Sequence, residues 1–321
     1  MQTLRALTWP GMPACEALQH AASRLNVHVV AEAVASNELL LQRMEEAGPF
    51  DVVFPSDYAV ERLRGAGRLR ALDRDRLPLR RLARWAREAA HDPGCAHSVP
   101  FAFGTTGFLH DSRLGPASSW RALLDPADGA RVGMLGEVRE VIGAALLAAG
   151  RSPNATDADS LSSAHRLLRE QKPHVARYDS DDFVTPMLEQ TVLAHHAWSG
   201  PAALAMRECS WLDYVVPDEG ALLWITAAAI PLDAPDPASS LALIAELMDP
   251  ELAAITTRGH GHATPNDAAR ELLEPELRDD PVLFPSPTTL ARCHVVRDLG
   301  EDERRMVEVF RLLRAADGAV V

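Results

Sequence analysis

The sequence is short of several residue types, and each shortage excludes a class of chemistry. One lysine, Lys172, stands among 32 basic residues. That leaves almost no choice of Schiff-base amine and sets covalent pyridoxal phosphate catalysis aside. Long apolar runs are missing as well: nowhere do about 18 consecutive apolar residues occur, so no membrane span is expected. The four cysteines, Cys15, Cys95, Cys209 and Cys293, lie far apart and form no C-x-x-C pair. A cysteine metal site or redox motif needs close spacing, so none is expected, while disulfides between distant cysteines stay open. Glycines gather into no P-loop or dinucleotide fingerprint, and no G-x-S-x-G elbow is present, so no cofactor is expected. Gly65-Ala66-Gly67 reads as a helix-to-strand turn without a phosphate signal. Positive charge is in deficit, 32 basic against 45 acidic residues for a net charge of -13. Nucleic acid and anionic membrane surfaces both require positive charge, so neither is an expected partner, whereas a cationic ligand is compatible.

What the chain has in quantity is apolar surface. At 321 residues and 47% hydrophobic it can bury a large core, and the length favours two domains. Apolar runs alternate with amphipathic stretches, the pattern of an α/β protein with mostly parallel strands. Strands are expected at 4–7, 27–31, 51–54, 132–135, 193–198, 212–216 and 222–230. Helices are expected at 15–25, 37–46, 137–149, 159–170, 241–248, 251–258 and 302–315. Ser36 or Asn37 can cap the second of these helices, and Gly150 can end the one before it. The segment 73–100, with six arginines and several prolines, reads as an irregular connection over the surface.

Glu137 and Glu140 follow the apolar run Val132-Gly133-Met134-Leu135 and a glycine. Their i,i+3 spacing puts both carboxylates on one face of a first helical turn. Acids there pair favourably with the helix N-terminus. His260 and His262 form an H-x-H pair, but no third or fourth ligand stands at proper spacing, so no metal site is expected. His195 and His196 are neighbours on a presumed strand and point to opposite faces, so both cannot point inward. Imidazole titrates near neutrality, which makes His262 a candidate proton carrier. Trp85, Trp120 and Trp211 read as core packing.

Eight short segments occur in a fixed order: Leu7-Thr8-Trp9, Ser36-Asn37-Glu38, Phe50-Asp51-Val52-Val53-Phe54-Pro55-Ser56-Asp57-Tyr58, Ser98-Val99-Pro100-Phe101, Glu137-Val138-Arg139-Glu140, Ala197-Trp198-Ser199-Gly200, Leu223-Trp224-Ile225 and Ala263-Thr264-Pro265-Asn266. Together they resemble the substrate-binding proteins of the bacterial spermidine/putrescine ABC importers, over nearly the whole chain. The resemblance implies an α/β, periplasmic-binding-protein-like type II fold: a two-lobed clamshell with a central ligand cleft and a hinge motion. One lobe is expected from residues 1–107 plus 225–270, the other from 108–224 plus 271–321, with crossings near Gly107, Ile225 and Arg270.

The ligand set it implies is Trp9, Met12, Ser56, Tyr58, Glu137, Glu140, Trp198, Trp224, Thr226 and His262. Trp9, Tyr58, Trp198 and Trp224 are four of only nine Trp and Tyr residues in the chain. Rings shed water from a carbon chain and offer a negative face to an ammonium. Glu137 and Glu140 would hold the amines, and Ser56 would offer a hydroxyl, with Asp57 beside it as a solvated loop acid. The chain departs from the family at Met12, an aromatic position there, at Thr226 in place of an aspartate, at His262 in place of a tyrosine and at Val296 in place of a glutamine. The lost carboxylate at Thr226 argues for a small amine other than spermidine.

The function implied is capture of a small cationic amine, with an ABC permease as partner if the protein is exported. The alternative is a cytoplasmic enzyme on the same fold, acting on an amine-derived or imine substrate by cyclisation, elimination or isomerisation. Glu137, Glu140 and His262 would then be the catalytic acid and base candidates. A cytoplasmic location follows if Met1 is the native start, an extracytoplasmic one if a signal peptide was trimmed.

Overall fold

A computed structural model describes residues 1–315 of the chain, most of whose strands are buried along nearly their whole length. The chain forms two compact units: residues 1–104 with 224–284, and residues from 105 to 223 with the chain from 285 onward. β4 (Ser98–Asp111) and β9 (Ala221–Ala229) each run from one unit into the other.

In the first unit, β1 (Gln2–Thr8) pairs in parallel with β2 (Val27–Ala33) and β3 (Val52–Val53). β3 pairs antiparallel with β9 through Val53 and Ala229. Period-2 alternation sends Leu4, Ala6, Val52 and Phe54 into one apolar cluster and Leu7, Val53 and Ala229 into another. Both faces of the sheet are therefore covered, as parallel strands require. Helices Cys15–Leu25, Pro237–Leu247 and Pro250–His260 pack on the first face, and helix Asn37–Glu46 covers the second. Ser36 caps the last of these, its Oγ accepting the Leu39 N–H at 3.2 Å.

In the second unit, β4 lies antiparallel to β7 (Ala194–Trp198) and to β8 (Leu212–Val215). β7 and β6 (Val175–Tyr178) flank β5 (Val132–Met134), both in parallel, and β10 (Cys293–Val295) adds to the start of β9. The helix Val138–Ala148 follows β5 and buries Val141, Ile142 and Leu146. Gly150, at φ 67°, ends it, because the chain turns there through the left-handed region that glycine tolerates.

Four expectations are corrected. The segment 73–100 is not a loop riding over the surface: Leu77, Leu82, Ala86, His91, Asp92 and Cys95 are all buried. Asp92 Oδ2 accepts the His97 and Ser98 N–H groups at 2.8 and 2.7 Å, which pins the segment to the start of β4. His195 and His196 are both buried on opposite faces, since the strand is covered on each side. Trp85, expected in the core, is 40% exposed and lies edge-on to Phe103. Asp57 is no solvated loop acid: it starts the helix Asp57–Gly65, is fully buried, and its Oδ1 accepts the Tyr58 N–H at 2.9 Å. The four cysteines are free thiols.

Candidate functional site

The C-terminal ends of parallel strands are where open α/β sheets place their ligand-facing loops, and each unit gathers polar and aromatic groups at such an edge. In the first unit β1 runs out into Trp9 and the turn to Met12, closed by a Met12 N–H to Trp9 carbonyl bond of 3.1 Å. β3 runs out beside it into Pro55 and Ser56. Ser56 bridges to Thr226 of β9, so Trp224, two residues along the same face of that strand, reaches the same edge.

Asn37 holds Ser56 from both sides. Its amide donates to Ser56 Oγ at 2.8 Å, and its carbonyl oxygen accepts the Ser56 N–H at 3.0 Å. Tyr58 is buried, and its hydroxyl donates to Glu38 Oε1 at 3.2 Å. His262 stands edge-on to Trp224, ring centres 5.0 Å apart at 85°, and stacks on His260 at 6.4 Å. His260 in turn covers Gly11: a Cβ there would lie 2.2 Å from His260 Cε1. Gly11 also sits at φ 70°, so both the backbone and the close approach call for glycine. Trp9, Met12, Ser56, Tyr58, Trp224, Thr226 and His262 thus share one edge of the first unit. Burial and the neighbouring His260 push the His262 imidazole down to about 3. Burial thus favours the neutral imidazole at physiological pH, in place of the titration near neutrality expected from the sequence.

In the second unit β5 leads through Leu135 and Gly136 to Glu137, which precedes the helix Val138–Ala148 without capping it through its side chain. The Ser180 hydroxyl donates to Glu137 Oε2 and accepts the Gly136 N–H at 2.8 Å. β7, in parallel register with β5, ends at Trp198, whose indole N–H donates to Glu140 Oε1 at 3.2 Å. Glu140 Oε2 is buried and has no hydrogen-bond partner among the described residues. Burial pushes the Glu140 carboxyl up, against the smaller lowering effects of Trp198, Thr106 and the Arg139 charge. Arg139 is directed away, to the Arg297 carbonyl at 3.0 Å and Asn154 Oδ1 at 2.8 Å. Phe183 stands edge-on to Trp198 at 5.9 Å.

An enclosed carboxyl with one open oxygen, held by neutral donors and framed by rings, can take either a proton or a cation. Thr106, Ser180 and Phe183 belong to this set and carried no sequence signal. Thr106 arrives by antiparallel pairing with Trp198, and the other two come from the stretch after β6. Among the described residues no three His, Cys, Asp or Glu side chains gather as metal ligands, and no helix is long and apolar enough to cross a membrane.

Residues 16–285 match the family of bacterial extracellular solute-binding proteins. The chain is similar to the spermidine/putrescine-binding periplasmic protein of Salmonella typhimurium, 29% identical over 304 residues, covering 93% of this chain and 87% of the relative. It is also similar to a putrescine/agmatine-binding protein of Pseudomonas aeruginosa, 30% identical over 269 residues, covering 75% and 72%. Among solved structures, a Listeria monocytogenes chain described as a spermidine/putrescine ABC transporter superposes with a TM-score of 0.92 at 28% identity, covering 98% of this chain and 100% of that one.

Proposed function

Because the chain belongs to the bacterial extracellular solute-binding proteins, with the periplasmic-binding-protein-like type II fold, we propose that it captures a small cationic amine and performs no chemistry on it. The observation that carries this reading is Glu140. Its carboxyl is enclosed, only neutral groups donate to it, and one oxygen is unpaired. An ammonium supplies both the missing hydrogen bond and the missing charge. Trp198 and Phe183 shield the pair from water, which strengthens it.

The rings of Trp9, Tyr58 and Trp224 in the first unit are the second part of this proposal. They contribute apolar surface for the carbon chain, with Met12 as a flexible apolar filler where an aromatic would be larger. Glu137, tied to Ser180, is the secondary anchor for the amine end, and Ser56, set by Asn37, is a fixed hydroxyl. Relatives named for spermidine, putrescine and agmatine support the ligand class. As in ABC importers generally, the partner proposed is a permease, and the proposed location is outside the cytoplasm, in keeping with the periplasmic relative.

Calorimetric titration with putrescine, cadaverine and agmatine tests the reading, alongside mass spectrometry of each amine after prolonged incubation. Saturable binding with the amine recovered unchanged is the expected result. Conversion of an amine, or no heat from any of them, contradicts it.

A further inference from the structure

β2 is the edge strand of its sheet and pairs with β1 alone among the described residues. Just past its end, the Val34 N–H donates to the Thr8 carbonyl at 2.8 Å, on the β1 side. Backbone groups alternate in direction along a strand, so His28, Val30 and Glu32 face β1 in step with Val34. Val27, Val29, Ala31 and Ala33 therefore turn their N–H and C=O groups outward, where no backbone among the described residues meets them.

Such an edge is a template for another strand, and folded chains blunt it with lysine, proline, a bulge or a very short length. β2 uses none of these. It holds seven residues with neither lysine nor proline, and it stays in unbroken parallel register with β1. His28, Val30, Ala31 and Ala33 are exposed, Val30 at 45%.

The strand is also complementary to itself. A two-fold axis through Val30 sets two copies of β2 antiparallel, each contact being made reciprocally. Val29 then faces Ala31 of the second copy and Val27 faces Ala33, so outward groups meet outward groups and exchange about eight hydrogen bonds. His28 falls opposite Glu32 of the second copy, at a non-hydrogen-bonded position where side chains approach most closely. Val30 meets its own copy on the axis as an apolar pair. Moving the axis to Val29 or Ala31 shortens the overlap and separates His28 from Glu32. The hydrogen bond from Arg43 holds the Glu32 carboxyl below its usual value, with the Arg5 charge adding to it. A carboxylate is thus in place for an imidazole N–H to donate to.

We propose that β2 is a docking edge for a second copy of this chain, joined antiparallel about a two-fold axis at Val30, with His28 and Glu32 as the pair that sets the register. One strand pair is smaller than a standard interface of about 1,600 Å², so the dimer is a reversible one that fills at high concentration.

Sedimentation velocity of the full chain from about 2 to about 300 µM, a range suited to a small interface, tests it. The wild type is expected to move from monomer toward dimer as concentration rises. Ala31→Pro removes an outward N–H and sets a ring on the edge while leaving the bonds to β1 intact. Its dimerisation is expected to weaken by about tenfold or more. Val30→Lys puts like charges opposite each other on the axis and is expected to act the same way. Val30→Cys, made with Cys15→Ser to remove the exposed native thiol, is expected to give a disulfide-linked dimer under mild oxidation. The Cα atoms of a non-hydrogen-bonded pair lie about 4.5 Å apart, within reach of a disulfide. A wild type that stays monomeric across the range overturns the proposal. Association unchanged in both Ala31→Pro and Val30→Lys places the contact elsewhere and overturns it too. Dimers that do not cross-link through Val30→Cys overturn the two-fold register. The wild-type series decides whether the dimer exists even if a variant fails to fold, and melting temperatures identify such a variant.

Discussion

Acidification between pH 7 and 5 should destabilise the second unit through two buried histidines. His196 lies edge-on to Trp120 at 5.4 Å, and both its ring nitrogens are buried and unpaired. His195 Nδ1 faces the His196 carbonyl at 2.8 Å, its Nε2 is unpaired, and its ring presses on Gly133, where a Cβ would lie 1.9 Å from Cδ2. Burial holds His195 down to about 4 and His196 to about 3, with the Arg177 charge adding to the first and Asp182 opposing it.

In the unfolded chain both imidazoles titrate near their ordinary value of about 6.5. Below that pH the unfolded state binds protons that the folded state refuses. The stabilisation is therefore complete above about pH 6.5 and is lost progressively down to the folded values. At pH 5 the loss is about 1.5 pH units at 1.36 kcal/mol each, or about 2 kcal/mol per histidine and about 4 for the pair. That is a large share of a typical stability of about 5–15 kcal/mol. Carboxylates held low, such as Asp236 at about 2, act below this window, while Glu140, held high by burial, pushes in the opposite direction. Urea unfolding at pH 7 and pH 5 reads the effect. His196→Phe keeps a ring against Trp120 and cannot protonate, so its loss between the two pH values should be about 2 kcal/mol smaller than that of the wild type. Equal losses in the two proteins would refute the reasoning.

Gly11→Ala should lower the melting temperature by roughly 2–8 °C, since a left-handed alanine alone costs about 1–2 kcal/mol and the methyl must also displace the His260 ring; a scanning calorimeter checks it, and an unchanged melting temperature speaks against the packing of His260 on that turn. Amine affinity should weaken as pH falls through the raised Glu140 value, well above the usual carboxylate range, because the cation must then compete with the proton. Titrations from pH 8 down to pH 5 measure the slope, and a flat profile would mean that amine binding is not coupled to protonation of Glu140 in that range.

The strands that repeat a simple pattern were legible: β1, β2, β5, β7, β8 and β9 lie within two residues of where apolar runs placed them. β4 was not, although it is the longest strand, at 14 residues. It is buried throughout, so it shows no alternation, and Pro100, Gly104 and Gly107 break its apolar run. Gly107 is needed where the Val215 carbonyl comes within 2.0 Å of any Cβ. The helix Asp57–Gly65 was hidden for a similar reason, since its charged residues resemble a loop when the burial of Asp57 is unknown. Glu140 and Trp198 could be named from their segments, but not the bond between them, which depends on the register of β5 with β7. Ser180 and Phe183 lie beyond β6, a strand with the half-exposed sequence Val175-Ala176-Arg177-Tyr178 and no strong signal of its own.

The central claim is that the Glu140 carboxylate of the second unit takes the ammonium of the ligand. Calorimetry at pH 7.5 with the tightest-binding amine, run on the wild type and on Glu140→Gln, tests it most directly. Glutamine keeps the size and an acceptor for the Trp198 indole but removes the charge. Affinity should fall by at least about thirtyfold, a loss of about 2 kcal/mol or more, with melting temperature preserved. Equal affinity in the two folded proteins would contradict the account.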